Sequence, residues 1–145
     1  MAAGSLWWAT RGDSQVEARR ADVAAKGAAV MPFDLNKTTH VFEKNGTGGV
    51  ESVTANDPAD TEQIELIRGH LQNERTKFAR GDFDDPAAIH GMDMPGLAAL
   101  RAGASRVRVE YASTSDGARL TFSSTEPQLV QGMHDWFDAQ TSDHG

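Results

Sequence analysis

A chain of 145 residues with 39% hydrophobic and 24% charged content is sized for one globular domain with its own core. Its formal net charge of −7 repels nucleic acid and anionic membrane surfaces, and Arg101, Arg106, Arg108 and Arg119 are spread rather than clustered, so neither partner is expected. The absence of cysteine excludes disulfides, thiolate metal sites, iron–sulfur clusters and cysteine nucleophiles together.

Leu6-Trp7-Trp8-Ala9 is apolar but too short for a complete signal peptide, and it lacks a basic flank. It reads either as the tail of a longer apolar segment or as an end whose aromatic residues touch the fold. No apolar run approaches the length of a membrane-spanning helix. Residues 13–27 predict a helix with Asp13 or Ser14 as cap, Glu17 in the first turn and Gly27 at the end. Its apolar stripe of Val16, Ala21, Val23 and Ala24 is weak, which predicts loose packing or a lead-in from an anchor. Met31-Pro32-Phe33 breaks the pattern.

Thr38 to Glu43 alternates as a strand, with His40 and Phe42 on one face and Thr39, Val41 and Glu43 on the other. Asn45-Gly46-Thr47-Gly48-Gly49 turns the chain, and Val50 to Thr54 returns as the partner strand. Asn56 or Asp57 then caps a helix with Pro58 in its first turn and Asp60 and Glu62 near its positive end. Ile64, Ile67, Leu71 and Phe78 form its buried stripe and Gly81 closes it. Residues 82–96 read as irregular. Asp82, Asp84 and Asp85 there lack the spacing of a calcium loop and read as loop and turn caps. Leu97 to Ala102 forms a short helix ended by Gly103. Arg106 to Ala112 alternates with Val107, Val109 and Tyr111 on one face, Ser115-Asp116-Gly117 turns, and Ala118 to Phe122 pairs back. Thr125 or Glu126 starts the last helix, whose face is Leu129, Val130, Met133, Trp136, Phe137 and Gln140.

This order predicts an α+β fold. Two ββα units form one antiparallel sheet with both long helices packed on one face, and an N-terminal helix is added. Residues 1–30 are the lead-in and helix, and 31–145 the domain, with a pseudo-repeat over 38–80 and 105–141. The similarity between the two units is low residue by residue, so duplication is an inference.

Each unit carries one histidine at a matching place, in Ile67-Arg68-Gly69-His70-Leu71 and Gln131-Gly132-Met133-His134-Asp135. An acidic residue and a proline precede each helix, Asp57-Pro58 and Glu126-Pro127. His70 has Leu66 one turn before and Glu74 one turn after; His134 has Val130 before and Asp138 after. A carboxylate so placed can fix an imidazole tautomer, as metal-binding histidines require. His40 shares its strand face with Phe42, and His90 lies beside Met92 and Met94. Imidazole with thioether suits copper, above all Cu(I), whereas zinc takes the histidines and a carboxylate. The expected metal ligands are therefore His70 and His134, with His40, His90, Met92 and Met94 as additions, and Glu74 and Asp138 supporting them. Taken singly, each histidine is more often a half-buried, hydrogen-bonded structural residue. No HExxH or His-x-His string reinforces the pattern, and neither a phosphate loop nor a Gly-x-Ser-x-Gly elbow occurs.

From Met31 onward the chain resembles a family of small, largely uncharacterised bacterial proteins. The resemblance rests on Met31-Pro32-Phe33-Asp34-Leu35, Thr38-Thr39-His40-Val41-Phe42, Gly48-Gly49-Val50, Ile67-Arg68-Gly69-His70-Leu71, Ile89-His90-Gly91-Met92-Asp93-Met94-Pro95-Gly96-Leu97, His134-Asp135-Trp136-Phe137-Asp138-Ala139-Gln140 and Asp143-His144-Gly145, about four fifths of the chain. It implies an apolar segment before the domain, hence an exported, periplasmic or extracellular protein, or one anchored in a membrane, with Leu6-Trp7-Trp8 similar to the end of such a segment. Some relatives carry the label aspartate carbamoyltransferase. That enzyme needs a longer two-domain chain and a Ser-Thr-Arg-Thr motif, which Lys37-Thr38-Thr39-His40 does not match, so its activity is not expected.

Three functions follow as expectations. The first is an exported metal-binding protein, copper before zinc, with a bis-histidine haem site as a further option. The second is a non-catalytic binding or assembly module with structural histidines, and a homodimer is open under each reading. The third is a small-molecule enzyme that uses a histidine–carboxylate pair in a closed pocket. The relative position of His70 and His134, and whether His40 or His90 joins them, separates the three.

Overall fold

The computed structural model describes the backbone of residues 2–91 and 93–144, and the side chains of 14–28, 30–91 and 93–142. Two β-hairpins build the sheet. β1 (Thr38–Asn45) pairs with β2 (Gly48–Ala55), and β3 (Arg108–Thr114) pairs with β4 (Gly117–Ser123). The hairpins join antiparallel through β2 and β4, in the order β1-β2-β4-β3. The register sets Phe42 opposite Glu51, and Glu51 opposite Leu120. Side chains alternate across such a sheet. Val53, Ala55, Val109, Ala118, Leu120 and Phe122 are accordingly buried on one face, while Thr39, Val41, Glu43, Glu110 and Arg119 are exposed on the other.

The two long helices cover the buried face. α2 (Thr61–Ala79) follows the first hairpin but lies over β3 and β4, and α5 (Pro127–His144) follows the second but lies over β1 and β2. Each helix therefore packs on the other unit's hairpin. The crossing is pinned at the turns. Arg68 on α2 donates from Nε to Gly117 O at 3.0 Å and from Nη2 to Thr114 O at 2.5 Å. His134 on α5 donates from Nε2 to Asn45 O at 2.7 Å. Gly49 admits the second helix: a Cβ there would collide with the buried ring of Phe137.

The expected two-layer α+β fold is present, with corrections at element ends. α1 runs unbroken over Ala2–Val30, rather than starting at 13 and stopping at Gly27. Its far half is tied in: Val23 is buried, and the helix touches α5 and α3 (Asp84–His90). No described helix is long and apolar enough to cross a membrane. The side chains of Leu6, Trp7 and Trp8 lie outside the described residues. Asp60, not Asn56 or Asp57, caps α2, its carboxylate accepting from Gln63 N at 3.2 Å. Asp57 is occupied in the preceding turn, where it accepts from Ala59 N at 2.9 Å. The stretch expected to be irregular contains α3, whose N-cap is Phe83; just before it the Asp82 carboxylate accepts from Asp84 N at 3.1 Å. Pro86 falls within the first turn, where a missing N–H costs nothing. α4 (Leu97–Ala102) matches its expected span.

The core is aromatic. Trp136 stands edge-on to Phe78, Phe83 and Phe122 at ring separations of 5.8, 5.6 and 5.5 Å. Each such pair adds roughly 0.5–1.5 kcal/mol beyond burial.

Candidate functional site

A small cavity lies between α2, α3, α5 and the sheet. Its wall takes Val30 from the end of α1, Met31 just after it, His40 and Phe42 from β1, and Glu51 from β2. α2 adds His70, Leu71, Glu74 and Phe78, and α3 adds Asp85, Pro86, Ile89 and His90. Leu120, Trp136 and Gln140 complete it. The centre of a water molecule fits in about 40 Å³ of it, room for a few waters or one ligand of a few heavy atoms.

Helical spacing places the α2 residues. Ile67, His70, Leu71, Glu74 and Phe78 follow the three-and-four pattern of one face, so a histidine and a glutamate ride on the apolar stripe. His70 Nε2 lies 3.8 Å from Glu74 Oε1, too far for a hydrogen bond. The buried ring of Phe33 packs edge-on to His70 at 5.5 Å and beside His40 at 5.6 Å, orienting both imidazoles.

The acids of the wall are unusual. Glu74 is pushed up to about 9, first by burial, then by its hydrogen bond to Asp85 and that residue's charge, with Glu51 adding to it. Asp85 is held below the usual carboxylate range, first by that hydrogen bond and then by Lys77, whose Nζ lies 2.8 Å from Asp85 Oδ2. The proton therefore sits on Glu74, which donates to an ionised Asp85 neutralised by Lys77. Burial alone pushes Glu51 up to about 7. Burial also lowers His70, the charges of Asp85 and Lys77 opposing each other there. At neutral pH the His70–Glu74 pair is thus uncharged on both sides, not an ion pair.

Among the described residues Glu74 Oε1, Trp136 Nε1 and Gln140 Nε2 are buried without a hydrogen-bond partner, and all three residues belong to the cavity wall. An unsatisfied buried polar group costs roughly 1–3 kcal/mol. The residues that carry these atoms share one small cavity wall, where a complementary molecule would gain most.

The expected metal set is only partly assembled. His40, His70 and His90 reach the cavity from three different elements, together with Glu74. His134 does not belong to the wall; it is spent on Asn45. Residues two apart on a helix are rotated by about 200°. With Trp136 aimed into the cavity, His134 therefore points away. Its structural counterpart on α2 is Arg68, which holds the other hairpin's turn, and not His70. Asp138 does not support His134; it pairs with Lys44 at 2.8 Å. Met94 is buried in the hydrophobic core and faces an outer cleft shared with Arg19 and His90, not the cavity. Met92 lies outside the described residues. Among the described residues no group of three or more histidines and carboxylates is arranged to hold a metal ion.

Glu51, Asp85, Phe33 and Trp136 were not expected as site residues. Glu51 had a signal: it lies two residues before buried Val53 on the same strand face. Gln140 had another, as a polar residue on an otherwise apolar helix face. Asp85 gave none, because nothing local distinguishes it from Asp82 and Asp84. Comparison with known families, with curated proteins and with solved structures finds no match to this chain.

Proposed function

We propose that this chain is a binding domain that holds one small polar molecule, non-covalently, in the cavity between its helices and sheet. The partnerless atoms of Glu74, Trp136 and Gln140 on that one wall carry the reading. Apolar side chains (Leu71, Phe78, Ile89, Leu120) surround a few convergent polar groups there, the composition of a small-ligand site. The test follows the Trp136 indole N–H by NMR in a Trp7→Phe, Trp8→Phe background while small polar molecules are added. A saturable shift with a raised Tm supports the reading. No shift with any of them, charged or neutral, ends it.

A second reading keeps a transition metal, zinc or copper. It is favoured by the meeting of His40, His70 and His90 on one wall. It requires these side chains to rotate together, since ligating nitrogens on one metal lie roughly 3–4 Å apart. Titration with zinc and copper decides it: stoichiometric uptake lost in His70→Ala favours the metal, and uptake unchanged in that variant rejects it.

A further inference from the structure

We infer that the molecule this cavity takes is uncharged and amide-like, with an acceptor oxygen and an N–H donor on one small planar group. The inference rests on the reading of the cavity as a binding site and specifies its ligand. Indole N–H only donates, so the ligand must present an acceptor to Trp136 Nε1. Glu74 uses its proton on Asp85, which leaves Oε1 as the acceptor oxygen of a carboxylic acid, so the ligand must present a donor there. Gln140 Nε2, also partnerless, is a second donor that calls for an acceptor on the ligand. A carboxylate would offer Glu74 no donor. An amidinium would offer Trp136 no acceptor.

Charge points the same way. Asp85 already pairs with Lys77, Glu74 holds its proton, and His70 is biased toward its neutral form, so these groups offer a charged guest no ready counter-charge in a desolvated space. Glu51 is the exception, since it can ionise near neutrality, and for that reason the comparison belongs at pH 6. Size agrees: the space open to water centres, about 40 Å³, suits a group as small as acetamide.

Acetamide, acetate and acetamidinium share one shape and differ in charge, so they serve as probes. Each is titrated at pH 6 against the full chain, with the Trp136 indole N–H as readout. The expected result is saturation by acetamide with at least tenfold tighter apparent affinity than either ion. Gln140→Leu and Glu74→Leu should each weaken acetamide at least fivefold, whereas Glu74→Gln, which keeps a donor for Asp85 and an acceptor oxygen, should hold it within about twofold. Where Glu74→Leu does not fold, the comparison of Glu74→Gln with Gln140→Leu carries the test. Preference for acetate or acetamidinium overturns the amide-like ligand while leaving the cavity a binding site. Failure of all three to move the indole signal overturns both, the wall then being satisfied by water alone.

Discussion

His70 Nε2 and Glu74 Oε1 lie 3.8 Å apart across one turn of α2, yet neither satisfies the other. Glu74 has instead turned its proton toward Asp85 on α3. That choice links helix packing to pH. In the unfolded chain Glu74 ionises near the ordinary glutamate value of 4.5, and in the folded chain only at about 9. Below the lower value both states are protonated and nothing is lost. Between the two the unfolded state binds fewer protons, so stability falls as pH rises, and above 9 the loss is complete. Glu51 acts with the same sign between 4.5 and about 7. Glu74→Gln keeps the hydrogen bond and removes the titration. Its melting temperature should therefore rise relative to the native chain between pH 5 and pH 8.5, by the equivalent of on the order of 4 kcal/mol. A gap between the two chains that stays constant with pH would sink this assignment.

Asp85 is the lever on that proton. Asp85→Asn leaves a carbonyl to accept from Glu74 but removes the negative charge that opposes its ionisation. The Glu74 carboxyl, followed by carbon-13 NMR, should titrate at lower pH in the variant. Stability should change little through Lys77 itself, whose side chain is 35% exposed, since pairs at such sites contribute roughly 0–1 kcal/mol. An unmoved titration would assign the raised value to burial alone.

The periodic parts of this fold were legible in the chain. Ile64, Ile67, Leu71 and Phe78 recur at helical spacing, and Val53, Leu120 and Phe122 fall where strand alternation puts them inward. The sheet and its two covering helices follow from that patterning. What could not be read was how each helix is turned about its own axis and which hairpin it covers. The likeness of the segments around His70 and His134 suggested equivalent positions. Yet α5 is rotated so that Trp136 and Gln140 enter the cavity, and the residue on α2 that does the work of His134 is Arg68. Glu51 escaped notice for a related reason: a carboxylate between Val50 and Ser52 reads as a surface residue until a helix is known to close over it.

That rotation predicts opposite outcomes for the two histidines. His134→Ala removes one partly exposed hydrogen bond to Asn45 O and should cost roughly 0.5–1.5 kcal/mol, without altering what the cavity binds. His70→Ala opens space beside Phe33 and Glu74 and should change ligand or metal uptake. Denaturant unfolding alongside the indole titration reads both effects. Equal loss of binding in the two variants would restore His134 to the site.

Gly49 tests how tightly the second unit's helix is seated on the first unit's hairpin. The strand residue faces the helix layer, and any Cβ there would enter the space of the Phe137 ring, which is 1% exposed and packed edge-on against Phe42 at 5.4 Å and Phe122 at 5.7 Å. The ring cannot retreat without displacing those neighbours. Gly49→Ala should therefore cost about 1–3 kcal/mol, the usual range for overpacking a close-packed interior. Gly46, at the hairpin turn with open space around it, should accept alanine with little packing cost. Urea midpoints for the two variants give the comparison, and because the added Cβ presses on Phe137 of α5 as well as on Glu43 O of β1, the Trp136 indole signal should shift in Gly49→Ala and stay in place in Gly46→Ala. Comparable destabilisation at both positions would mean that the hairpin, not the helix seat, is the sensitive element.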